Sequence, residues 1–144
     1  MESLESKKLA LIRILQILKE HSDCDHPLRQ EDILRLLKSE YGISLERKAI
    51  GRNISLLKEA GYEIESGASG SYLSSRIFED SELHLLIDAV LSSKCVSAPQ
   101  SAEIIDKLCM LSNRYFKSHI KNIYTVSDWN KSDNQSETVY IFFI

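Results

Sequence analysis

Only Ile43, Ser44, Leu45 and Glu46 separate Gly42, the stop signal of one amphipathic helical pattern, from Arg47, where the next begins. A connection this short forces the two helices to cross at once, and a glycine-started turn of this kind is the mark of helix-turn-helix units. Before Gly42, the residues Ile33, Leu36, Leu37 and Tyr41 carry the helical period. After it, two starts compete: Ser44 has the better capping side chain, whereas a cap at Glu46 places Leu45 and Ile50 at the two positions of a hydrophobic staple. The second is favoured. Ile50, Ile54 and Leu57 then form the buried stripe, Leu56 falls off it and is expected to touch another element, and Gly61 ends the helix.

The flanking segments complete a mainly α fold with a small β-hairpin. An apolar pattern from Leu4 to His21 predicts a first helix that buries more than one face. Tyr62 to Glu65 and Ser71 to Leu73 alternate about the turn Gly67-Ala68-Ser69-Gly70, as a two-stranded hairpin does. Three helices plus a hairpin make a winged helix-turn-helix over residues 1–76. A helix from Asp80 to Ser93, started by Asp80 or Ser81, carries Leu83, Leu86, Ile87, Val90 and Leu91; another, opened by Pro99, carries Ile104, Ile105, Leu108 and Leu111. With little else to bury against, these two are expected to pack on the first helix or on a second subunit, so residues 77–118 read as a helical linker and dimerisation region of a homodimer. From His119 onward the pattern changes to Ile123, Tyr124 and Val126, then a polar stretch, then the apolar Val139–Ile144, a short C-terminal strand that looks like the beginning of a further domain.

Charge narrows the function. The chain of 144 residues carries a net -3, too acidic overall for a nonspecific polycation. Residues 1–62 hold 11 basic and 10 acidic side chains, and the remainder 7 and 11. Within the first part, Ser44 to Lys58 sets Arg47, Lys48, Arg52 and Lys58 against Glu46 alone. Lys48, Gly51, Arg52 and Ser55 cluster opposite the buried stripe, with Arg47 in the first turn. A helix so decorated fits the major groove, about 12 Å wide, where Arg and Lys pair with guanine O6 and N7, and Gly51 would let it approach closely. An isolated basic face is usually only a solvated one; on the second helix of a tight pair, followed by a hairpin, it points to double-stranded DNA.

Other chemistry is not indicated. The glycines at 67 and 70 lack the Lys-Ser or Lys-Thr of a nucleotide-binding loop and read as a wing tip. His21, Cys24, Asp25 and His26 lack zinc spacing, so neither a metal nor a cofactor is expected. His84, His119 and Ser92-Ser93-Lys94 form no nucleophile–base arrangement, and no enzyme is expected. Three widely spaced cysteines, no signal peptide and no apolar run near the roughly 20 residues of a membrane span suggest a cytoplasmic protein without membrane attachment.

The segment Ile43-Ser-Leu-Glu-Arg-Lys-Ala-Ile-Gly-Arg-Asn-Ile-Ser-Leu-Leu-Lys-Glu-Ala-Gly-Tyr62, with Tyr72-Leu73, Arg76 and Phe78 to Lys94, resembles bacterial WYL-domain transcriptional regulators that begin with a winged helix of the helix-turn-helix type 11 kind. The resemblance implies DNA contacts from Arg47, Lys48 and Arg52, dimerisation through the intermediate helices, and an incomplete WYL domain over 119–144, entered through Lys131, Asn134 and the Val139–Ile144 strand. Since the Trp-Tyr-Leu motif is absent, no effector ligand is expected on this chain. Relatives often carry a larger residue where Gly51 stands. The resulting expectation is a sequence-specific DNA-binding transcriptional regulator whose recognition helix, Arg47 to Lys58, uses Arg47, Lys48, Gly51, Arg52, Ser55 and Lys58. The alternative is a protein-interaction module or antagonist that pairs with a full-length regulator without binding DNA.

Overall fold

The computed structural model describes residues 4–123, and the chain divides into two compact units at the boundary between Arg76 and Ile77. Among the described residues it is mainly helical, with six helices and one two-stranded antiparallel sheet. None of these helices is long and apolar enough to cross a membrane.

The first unit contains α1 (Leu4–His21), α2 (Gln30–Tyr41), α3 (Arg47–Glu59), β1 (Ile64–Gly67) and β2 (Gly70–Leu73). Its core is built from one face of each element: Ala10, Ile14, Ile17 and Leu18 of α1; Ile33 and Leu37 of α2; Ile50, Ile54 and Leu57 of α3; and the cross-strand pair Ile64–Leu73. Burial of such side chains stabilises by about 1.5–3 kcal/mol each, which is what holds three short helices around one centre. Helix α1 is narrower in its burial than its composition predicts. Leu11 and Leu15 pack at the edge of the core, but Leu9 and Ile12 remain exposed, so it buries one broad face.

Gly42 caps α2 at φ +65°, a left-handed conformation that costs glycine nothing, and its N–H donates to the Lys38 carbonyl at 3.1 Å. Ile43 turns directly into the core, and Glu46 occupies the N-cap of α3 with extended backbone while Leu45 packs against the core cluster that includes Ile50. At the far end the Tyr62 N–H donates to the Leu57 carbonyl around Gly61, which closes the helix. Leu56 departs from expectation: it is 51% exposed, because the core takes only the Ile50–Ile54–Leu57 stripe.

The hairpin is shifted from its expected bounds. Its first strand starts at Ile64, not Tyr62, and Gly67 and Gly70 pair within the ladder, which leaves Ala68 and Ser69 as the turn. Chain from the α1–α2 connection joins its other edge: Leu28 and Ser71 exchange backbone hydrogen bonds of 2.8 and 2.7 Å. That approach leaves no space at Gly70, where a Cβ would lie 2.5 Å from the Leu28 carbonyl. Ser22, buried at the end of α1, accepts from the Leu73 N–H, and its carbonyl accepts from Arg76 at 2.9 Å.

The second unit contains α4 (Asp80–Ser92), α5 (Ala98–Cys109) and α6 (Arg114–Ile123). The cap of α4 is Glu79, one residue before the expected start; its N–H donates to Glu82 Oε1 at 3.0 Å. Ser97 and Gln100 cap α5 reciprocally, with Pro99 inside the first turn where its missing N–H is harmless. Helix α6 was not anticipated, and it runs through residue 119, where the sequence pattern suggested a new domain. Asn113 precedes its first residue, and the Asn113 Oδ1 accepts from the Phe116 N–H at 3.0 Å. Leu83, Ile87, Ile105, Cys109, Phe116 and Ile120 form the core. The apolar faces of α4 and α5 therefore close on each other and on α6, so this unit has a core of its own. Lys131, Asn134 and the Val139–Ile144 strand lie outside the described residues.

Candidate nucleic-acid interface

Two cations open α3. Arg47 and Lys48 are its first two residues, no acidic residue occupies the first turn, and the positive end of the helix dipole lies there. Placing like charge at that end costs about 0.3–1 kcal/mol, so the two cations oppose the helix's stability there.

Along one flank of α3, Arg47, Gly51, Ser55 and Lys58 line an open groove of about 600 Å³. The opposite walls come from the start of α2, with Arg29, Gln30 and Glu31, and from the hairpin, with Ser66, Gly67 and Ala68. The six candidate residues thus divide. Four line the groove; Lys48 and Arg52, also exposed, lie outside its lining and on the adjoining face, as the 3.6-residue period of the helix requires.

The groove residues are individually tethered. The Arg47 Nε donates to Gln30 Oε1 at 3.1 Å, and its guanidinium stands 3.6 Å from Glu31 Oε1. Both charged side chains stay largely in solvent, 66% and 69% exposed, so their pairing is weak. Lys58 Nζ donates to Ser66 Oγ at 3.1 Å, which itself lies 2.9 Å from Ser71 Oγ, so a cation of α3 is linked directly to the hairpin. The Ser55 hydroxyl donates to the Gly51 carbonyl at 3.0 Å. Gly51 faces Gln30 across the groove: a Cβ there would stand 3.3 Å from Gln30 Nε2, the far end of a flexible side chain.

Arg29, Gln30, Glu31 and Ser66 escaped the sequence reading because each reaches the site through the fold, not through helical spacing. The motif-like cluster near residue 24 is used locally: His21 Nε2 lies 2.8 Å from Glu40 Oε1, joining the ends of α1 and α2, and His26 Nδ1 lies 2.7 Å from Asp23 Oδ1. Among the described residues, no group of three or more His, Cys, Asp or Glu side chains is arranged to hold a metal. Of the charged residues lining the groove, Arg29, Arg47 and Lys58 are cationic and Glu31 is anionic. Comparison with family models, curated proteins and solved structures finds no match to this chain.

Proposed function

We propose that the chain is a sequence-specific DNA-binding transcriptional regulator built on a winged helix-turn-helix, with α3 as the recognition helix and the Ile64–Leu73 hairpin as the wing. The observation that carries this reading is the exposed basic groove in which Arg47 and Lys58 of α3 face the hairpin residues Ser66 and Gly67, beside the second basic row of Lys48 and Arg52. A helix with this charge lies in a major groove with its first turn near phosphate, while a neighbouring hairpin tracks the backbone. The hairpin is pinned to the α1–α2 connection through Leu28, which supports a wing held at a set distance from α3.

A homodimer is part of this reading, as two such helices would address half-sites about 34–36 Å apart or a multiple of that distance. The second unit offers surface for it, since Leu85 and Met110 are exposed. The same exposure favours the second reading, a protein-interaction module that captures a full-length regulator. Selection of bound fragments from random duplexes at physiological salt tests the two together. Enrichment of a palindrome supports the dimeric regulator; recovery without enrichment supports the interaction module.

A further inference from the structure

An arginine meant for nucleic acid is, in this fold, already engaged by its own protein. Gln30 lies against Gly51, with its Nε2 3.3 Å from where a Cβ would sit. So placed, Gln30 accepts from Arg47 Nε, and Glu31, next in the chain, presents its carboxylate to the same guanidinium at 3.6 Å. All four residues line the one groove. We propose that Glu31 is an intramolecular competitor for phosphate at Arg47, a specificity-determining residue that lowers the sequence-independent part of DNA affinity; the inference rests on the nucleic-acid reading above.

The physical basis is ion exchange. A cation that meets phosphate from bulk solution releases a condensed counterion, which steepens the dependence of log affinity on log salt by about 0.9 per contact. Held by Glu31, Arg47 makes no such contact in a nonspecific complex, so one counterion stays on the DNA and the attraction it would add is lost. A largely exposed ion pair is weak, which keeps the competitor displaceable when a correct base edge rewards the exchange.

Salt titrations of a labelled random-sequence duplex test this with the full chain, wild type and Glu31→Gln, each also in an Arg47→Ala background. Glu31→Gln is expected to bind roughly two- to fivefold tighter at low salt, with a slope steeper by about 0.9. Both gains should vanish when Arg47 is absent. A gain that persists without Arg47 reports general repulsion by a carboxylate and overturns the inference, as does an unchanged slope. Neither outcome touches the nucleic-acid reading. Failure of the wild-type chain to bind any duplex overturns that reading, and this inference with it.

Discussion

The Ser22 hydroxyl accepts a hydrogen bond from the Leu73 amide at 3.1 Å, linking the end of α1 to the last residue of β2. Both groups are buried, and the same hydroxyl donates back to the Leu18 carbonyl. Ser22→Ala leaves a buried N–H without its partner, at a cost of about 1–3 kcal/mol. The expected readout in the full chain is faster hydrogen exchange at the Leu73 amide together with lower thermal stability.

Gly70 and Gly67 pair across the hairpin yet should respond very unequally to alanine. Gly70 has φ +129°, and a Cβ there would strike the Leu28 backbone at 2.5 Å, whereas nothing lies within 4 Å of a Cβ at Gly67. Gly70→Ala should cost about 1–3 kcal/mol or more and disrupt the Leu28–Ser71 pairing. Gly67→Ala should stay within about 0.5 kcal/mol. Urea denaturation compares the two.

Lys48 and Arg52 lie in the exposed row outside the groove. Their replacement by alanine should change stability by no more than about 0.5 kcal/mol. If either meets a base, operator affinity should fall by about 1–3 kcal/mol; if it meets phosphate, the salt slope should lessen by roughly one. Anisotropy titration of each variant at several salt concentrations separates these outcomes.

Phe116 places α6 in the core of the second unit. Phe116→Ala should cost about 3–5 kcal/mol, a large share of a small unit's stability. The same change at the exposed neighbour Tyr115 should cost far less, as measured by unfolding of both variants.

Burial of Cys109, reinforced by the nearby Asp106 carboxylate, pushes its thiol above the ordinary range against the opposing pull of Lys117 and Lys121. A raised folded value means that the thiol's contribution is fully present below the ordinary thiol range, about pH 8.5, and is lost as pH rises through the folded value. Iodoacetamide at neutral pH should therefore modify the exposed Cys24 and Cys95 but spare Cys109 until denaturant is added. Cys109→Ala should flatten the alkaline loss of stability; an identical alkaline profile in the variant would contradict the assignment.

What the sequence disclosed follows from which interactions are local. The α2–α3 turn was legible because Gly42 and the Leu45–Ile50 spacing act within a few residues, and the Ile50–Ile54–Leu57 stripe because helical burial is periodic. Helix α6 was missed although Phe116, Ile120 and Ile123 recur at helical spacing after a capping Asn113, because Ile123 was read together with the β-prone residues that follow it. The division of the basic residues into two rows follows from helix geometry, but the identity of the groove's other wall does not. Arg47 meets Gln30 and Glu31, and Lys58 meets Ser66, through tertiary packing that spacing along the chain cannot encode.

The paired backbone bonds between Leu28 and Ser71 fasten the hairpin to the residue just before Arg29 and Gln30 of the opposing wall. The two jaws of the groove are thus bolted together behind it, and prising them apart means breaking main-chain bonds, not rotating side chains. Its gauge is consequently set when the chain folds.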